Sequence, residues 1–322
     1  MHEADIPIRP LPESSPKALS RLVLGTVQFG LPYGVSNSGG QPSYETARDI
    51  LACAIEGGVT CLDTAAVYGE SEAVLGRALA ELGAAERVTV VTKVTHLAAD
   101  LSPSRADELI EESVRNSLRQ LRLERLPFCF LHREEDFRYA DSLLKLRDRG
   151  LVERIGSSTA TPAATKAIIG SGLADAVQFP ASVLDRRFSG PDVAGVACSR
   201  GMDVFARSIY LQGLVFLSDA KTPEALCDVI PARRRLAELA HDAGIPLAEL
   251  ALRYVLGLGD LTSILVGVDS VAQMRENLAL FAKGPLPPDL MRAVMESVPS
   301  LSDAILDPWR WARQTTDQKP KA

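Results

Sequence analysis

Asp63, Tyr68, Lys93 and His132 bring a carboxylate, a phenol, an ammonium and an imidazole into one chain. Asp63 and Tyr68 share the segment LDTAAVYGESE, while Lys93 and His132 each close a short apolar run, TVVTK and FCFLH. A phenol ionises near pH ~10 and is a weak acid at neutral pH. A nearby ammonium stabilises the phenolate and lowers that value. A carboxylate such as Asp63 keeps the ammonium charged and in place, and an imidazole can hydrogen-bond a reacting oxygen. Such a set can give a proton to a carbonyl oxygen while hydride reaches its carbon. The chain shows no flavin or metal signature, so a nicotinamide is the expected hydride source and no metal is expected. Each residue alone also has a plain structural reading. Asp63 could cap a turn, Lys93 could be a solvated strand end, His132 a hydrogen-bonded structural residue and Tyr68 a packed loop aromatic. The four together, at matching strand ends, favour chemistry.

Eight short apolar or β-branched runs recur along the chain, at 21–26, 59–64, 87–93, 126–132, 152–158, 174–179, 202–208 and 261–267. Their nearly continuous apolar content predicts parallel strands buried on both faces. Helix-period segments alternate with them, at 45–57, 104–121, 139–149, 162–170, 192–200, 222–257 and 270–282. Eight strands alternating with helices predict an α/β fold, a single-domain (β/α)8 TIM barrel. A doubly wound dinucleotide-binding sheet competes, but Gly25, Gly30 and Gly34 do not make GxGxxG. In a barrel, chemistry sits where strands end. The polar residues there are Asp63, Lys93, His132, Ser157, Ser158, Gln178, Arg207 and Ser208.

The length of 322 residues admits one domain or two, and the strand count favours one. Residues 1–20 form a Pro/Ser-rich N-terminal extension, 21–282 the barrel, and 283–322 a C-terminal helix, loop and polar tail contributing to the substrate pocket. Lys+Arg is 35 against Asp+Glu 41, a formal charge of −6, which argues against a nucleic-acid partner. No run reaches the ~18 apolar residues of a membrane span. The opening MHEADIPIRPLPESSPK has no apolar core of a signal peptide. The five cysteines include no CxxC pair and read as reduced, buried thiols of a cytoplasmic protein. Nothing in the charge pattern specifies an oligomeric state.

LDTAAVYGESEAVLG at 62–76 resembles the Asp-and-Tyr signature of the aldo-keto reductases. TK at 92–93, LH at 131–132, RIGSST at 154–159, VQF at 177–179 and GVDSVAQMRENL at 267–278 extend the resemblance. LGTVQFGLPYGVSNSGG at 24–40 resembles bacterial members, several of them linked to sugar metabolism. The resemblance implies NADPH, with NADH as the alternative, lying across the barrel mouth. It implies Tyr68 as general acid, with Asp63, Lys93 and His132 completing a tetrad. Ser158 and Gln178 would hold the carboxamide, Arg207 and Ser208 would flank nicotinamide and pyrophosphate, and Ser270, Gln273, Glu276 and Asn277 would line the adenosine end. Gly25, Thr26, Leu211, Gly213 and Gly267 are expected along the cofactor, with Gly213 as hinge of a clasping loop around 217–219.

The chain departs from the family pattern in three places. Thr159 stands where many members have Asn after the carboxamide serine, and offers only a hydroxyl. Arg207 replaces a stacking aromatic, although a guanidinium also stacks. Gly267, Asp269 and Gln273 stand where many members meet the 2′-phosphate with a cation. Asp269 would repel that phosphate, helix amides near Ser270 would offset part of it, and Arg275 is close in sequence. Substrate candidates are Phe29, Tyr33, Val67 and Trp309, with His96, Tyr210 and Trp311 beside them; simple packing is the competing role for Phe29 and Trp309. The implied activity is NAD(P)H-dependent reduction of an aldehyde or ketone, sugars included. The alternatives are an aldose dehydrogenase working in the oxidative direction, and a cofactor-binding regulatory protein on the same barrel.

Overall fold

Short β-branched and apolar runs form eight strands in the computed structural model, which describes residues 8–9, 19–35, 37, 39–188 and 190–311. They are β1 (Leu22–Gly25), β2 (Cys61–Asp63), β3 (Thr89–Lys93), β4 (Leu126–Leu131), β5 (Val152–Ser158), β6 (Ala176–Pro180), β7 (Asp203–Arg207) and β8 (Ser263–Gly267). Every neighbouring pair is parallel, and β8 closes the barrel between β7 and β1. This is the single-domain (β/α)8 barrel that the alternation predicts.

A strand's side chains alternate between faces. Leu22, Leu24, Leu62, Val90, Cys129, Val177, Val204 and Val266 point outward into the layer shared with the helices. Val23, Cys61, Val91, Phe128, Phe130, Ala176, Phe205 and Leu265 fill the interior. One inward position further along lie Asp63, Lys93, His132, Ser158, Gln178 and Arg207. The same period of two that packs the barrel therefore stacks the polar residues in a layer above it.

The interior is filled unevenly. Phe128, Phe130 and Phe205 meet edge to face with centroids 5.9–6.1 Å apart. Gly156 makes room for them, since a Cβ there would lie 2.5 Å from Phe130 Cε1 and 2.6 Å from the Ala176 carbonyl oxygen. Gly156→Ala is expected to destabilise the barrel by about 1–3 kcal/mol, the usual range for overpacking. A urea midpoint equal to wild type would show that this layer yields.

The helices are α1 (Tyr44–Glu56), α2 (Ser71–Glu81), α3 (Pro103–Leu121), α4 (Ala140–Asp148), α5 (Pro162–Ser171), α6 (Val196–Ser199), α7 (Ile230–Asp242), α8 (Leu247–Leu256), α9 (Val271–Ala282), α10 (Pro288–Ser297) and α11 (Asp303–Leu306). Ser43, Ser102, Thr161 and Ser270 cap α1, α3, α5 and α9 through side-chain oxygens that accept backbone N–H groups.

Several expectations need correction. Residues 222–257 are not one helix: a 3-10 turn at Glu224–Val229 precedes α7, and Gly244 (φ 65°) with Pro246 breaks the chain before α8. The segment 192–200 is a π turn at Pro191–Gly195 followed by the single turn of α6. Within the N-terminal extension, Leu19 and Ser20 are part of the fold. They pair antiparallel with Ile8–Arg9, and Leu19 is buried in the interior cluster. The rest of the N-terminal extension and the tail from 312 lie outside the described residues. Only Cys61 and Cys129 are buried; Cys53 and Cys198 are half-buried and Cys227 is exposed. Among the described residues no helix is long and apolar enough to cross a membrane.

Candidate active site

Asp63 ends β2 and Lys93 ends β3, both facing inward. Lys93 Nζ donates to Asp63 Oδ1 at 2.7 Å and to the Thr64 carbonyl at 2.8 Å. Gln178 Nε2, from β6 across the barrel, donates to Asp63 Oδ2 at 2.8 Å. Lys93 is 1% exposed and Asp63 4%, so this is a buried pair rather than a solvated strand end. Charges so deep are tolerable only when paired and hydrogen-bonded, and here both carboxylate oxygens are engaged.

Tyr68 is placed by backbone contact. Gly30 and Gly69 face each other: a Cβ on Gly30 would lie 1.8 Å from the Tyr68 carbonyl, and one on Gly69 (φ 55°) 2.3 Å from the Gly30 carbonyl. Only glycine lets the loops after β1 and β2 touch this closely. Ser71 fastens the same contact by donating to the Thr26 carbonyl at 2.7 Å. The Tyr68 ring then sits 5.2 Å from Lys93 Nζ and edge-on to His132, with centroids 5.6 Å apart.

The electrostatics differ from the sequence expectation. Burial first, and Asp63 second, push the Tyr68 phenol above its ordinary range; Arg207 is the group that pulls it down. The charge of Lys93 is matched at 2.7 Å by Asp63. Burial also lowers Lys93 itself, against the pull of Asp63. His132 is driven well below the usual imidazole value by burial, then by Lys93, His96 and Arg207. The site thus offers a neutral phenol and a neutral imidazole above a neutralised ion pair. A proton can leave the phenol for an oxygen that becomes strongly basic, and the imidazole can hydrogen-bond that oxygen.

These groups open into a cleft of about 840 Å³. Of the predicted residues, Gly25, Thr26, Asp63, Tyr68, His132, Ser158, Gln178, Arg207, Ser208, Gly213, Gly267, Gln273, Glu276 and Asn277 line it, with Tyr33, Val67 and Trp309. Lys93 lies beneath them. Thr159 is 1% exposed and its hydroxyl is taken by Thr165 Oγ1 at 2.7 Å, so it does not offer that group to the cleft. Its carbonyl instead accepts from Arg207 Nη2 at 2.8 Å. Leu211 and Phe29 are core residues, and Ser270 is spent on capping α9. Trp311 is also core, its indole donating to the Ile305 carbonyl at 3.2 Å. The expected clasp at 217–219 is tied down, since Asp219 pairs with Arg233 and Arg234.

Sequence reasoning missed Gln28, Asn37, Gln212 and Phe216, which also line the cleft. Gln28 lies over Gly267, where a Cβ would come 2.6 Å from its Nε2. No local pattern marks it; the contact arises because β1 and β8 are neighbours. Gln212 takes a left-handed conformation (φ 54°) and its carbonyl accepts from Val35 N at 3.0 Å. Asn37 Nδ2 reaches Asp269 Oδ1 at 3.4 Å. Asp269 N donates to Gln273 Oε1 at 2.7 Å and Gln273 N to Ser270 Oγ at 3.3 Å, so these amides at the start of α9 are already used. Arg275 is exposed and outside the cleft. Among the described residues, Arg207 is the one Arg or Lys lining it.

The model of the Aldo/keto reductase family matches residues 21–298. An uncharacterized oxidoreductase of Bacillus subtilis (strain 168) is 24% identical over 260 residues, covering 72% of this chain and 81% of the relative. The NADH-specific methylglyoxal reductase of Escherichia coli (strain K12) is 26% identical over 300 residues, covering 81% of this chain and 89% of the relative. Among solved structures, the holo form of an aldo-keto reductase from Bacillus halodurans superposes with a TM-score of 0.74 at 22% identity, covering 95% of this chain and 99% of that one.

Proposed function

The chain belongs to the aldo/keto reductase family, NAD(P)H-dependent oxidoreductases of carbonyl compounds, and on that premise we propose that it reduces an aldehyde or ketone with Tyr68 as the proton donor. The observation that carries this reading is the buried Asp63–Lys93 pair beneath Tyr68 and His132 at the barrel mouth. Bound reduced nicotinamide supplies the hydride. The chain's own residues do the rest. Ser158 and the amide oxygen of Gln178 suit a carboxamide, and the Gln178 amide nitrogen keeps Asp63 in place. Arg207, anchored on Thr159, presents a plane for stacking, and its buried Nε has no protein partner. The buried Gln28 Oε1 is also without one. Such unmade hydrogen bonds suit a polar ligand, because leaving them unmade is costly. His132 would hold the carbonyl oxygen while Tyr68 O–H protonates it.

A panel of aldehydes, ketones and aldoses, assayed with both cofactors, tests the reading. Turnover in the reductive direction supports it. Tight cofactor binding without turnover on any of them would favour a regulatory binding protein instead. Turnover only on aldoses with oxidised cofactor would favour the dehydrogenase.

Asp269 and Glu276 line the cleft where the adenosine half would lie, and among the described residues no Lys or Arg lines it beside them. A 2′-phosphate carries roughly −1.5 to −2 charges, whereas a ribose 2′-hydroxyl can donate to a carboxylate. We therefore favour NADH over NADPH, the cofactor named for the Escherichia coli relative. Fluorescence titration is expected to give NADH a Kd at least about tenfold below that of NADPH, the effect of ~1.4 kcal/mol. Asp269→Ser should narrow that gap by weakening NADH and strengthening NADPH. Equal affinities in the wild type would remove Asp269 from this role.

A further inference from the structure

His96 and His132 each bury one ring nitrogen without a hydrogen-bond partner: Nε2 of His96 and Nδ1 of His132. Their ring centroids are 4.8 Å apart at an interplanar angle of 64°. A buried polar nitrogen left unpaired is destabilising. Two such nitrogens on adjacent rings have one economical solution, a bond between them. A centroid separation of 4.8 Å is short enough for rotation of the rings to bring a nitrogen of each within hydrogen-bond length, about 3 Å.

We propose that His96 is a positioning residue that donates Nε2–H to Nδ1 of His132 and so fixes the tautomer in which His132 presents Nε2–H to the substrate oxygen. This rests on the reductase reading above, in which His132 holds the carbonyl. A neutral imidazole carries one N–H, and the bond made by one nitrogen decides where that proton sits. If Nδ1 kept it, Nε2 would be an acceptor and would repel a carbonyl oxygen. Both rings are held neutral. Burial and the cations Lys93, Arg207 and Arg133 act on His132. Burial and Arg133 act on His96, opposed by Asp136.

The chain around His96 is built to hold a ring still. Val94 N donates to the Phe130 carbonyl at 2.9 Å, and Thr95 N to Ser113 Oγ at 3.0 Å. Arg133 donates to the Leu97 carbonyl and pairs with buried Asp136. Trp309 closes the outer side of the ring, edge-on with centroids 5.6 Å apart. Backbone anchors at Val94, Thr95 and Leu97, with a ring on each side, restrict His96.

The chain has 4 histidines, so the imidazole signals of the full-length protein can be assigned by substitution. Nitrogen-15 spectra of the wild type should show His132 as one neutral tautomer, bare at Nδ1 and protonated at Nε2. His96→Phe keeps a ring but removes the donor; His132 should then show mixed tautomers. Its kcat should fall by about tenfold with cofactor Kd unchanged, the loss expected for one hydrogen bond made to the reacting oxygen. His96→Gln, whose amide N–H can take the same place, should restore the single tautomer and most of the rate. The proposal is overturned if His132 keeps its single tautomer in folded His96→Phe, or if the wild type carries its proton on Nδ1. The spectra do not depend on turnover, so they separate this proposal from the choice of Tyr68 as acid.

Discussion

Replacing Tyr68 with phenylalanine is expected to lower kcat for carbonyl reduction by about 10²–10⁴-fold, the usual worth of a general acid. The ring itself should stay, since phenylalanine preserves the edge-on contact with His132 and disturbs neither Gly30 nor Gly69. Cofactor Kd should therefore be unchanged while turnover collapses, the pattern of an interaction made only in the transition state. The pH profile gives an independent check. Burial and Asp63 hold the phenol above its ordinary range, so it remains protonated until well into alkali. His132, driven down by burial, stays neutral. The chemical step of reduction should then be flat from about pH 6 to 9, because neither group changes state there. Wild-type kcat in Tyr68→Phe would show that another group, or water, delivers the proton.

Much of this site could be read from the chain because strand parity is local information. Asp63, Lys93, Gln178 and Arg207 each fall two residues after an inward apolar neighbour, and that spacing alone puts them in one layer. What could not be read depends on distant segments. The bond from Gln178 to Asp63 joins β2 to β6 across the barrel, with 115 residues between them. The neutralisation of Lys93 needs the 2.7 Å contact, not the presence of both residues in the sequence. Phe29 and Trp309 looked alike as aromatic loop residues. Phe29 packs in the core at 2% exposure, while Trp309 stands in the mouth at 58%. The break between α7 and α8 did have a local signal in Gly244 and Pro246, overridden by a continuous helical period on both sides. Thr159 shows a third limit, since a hydroxyl in the right place is still unusable once Thr165 holds it.

Lys93→Met should show how much of the fold depends on the pair that the chemistry uses. The variant leaves Asp63 buried beneath the mouth with no cation. Breaking one side of a buried pair is destabilising by about 3–5 kcal/mol. Gln178 still holds Oδ2, which favours the lower end of that range. The Thr64 carbonyl also loses its donor. Combining Lys93→Met with Asp63→Asn removes the stranded charge at nearly constant volume, so urea denaturation should show the double variant more stable than the single one. Activity should not follow stability. Both variants are expected to lose at least about 10²-fold in kcat, because Tyr68 and His132 then lie on a floor without its balanced ion pair. If the single and double variants unfold at the same urea concentration, Asp63 is not stranded by the loss of Lys93. Water or a rearranged neighbour then reaches it, and the pair is less sealed than its 2.7 Å contact and 1% exposure of Lys93 indicate. If instead stability recovers and kcat does not, the same ion pair serves two separable ends. It makes burial of Asp63 tolerable, and it fixes the electrostatic floor on which the phenol gives up its proton.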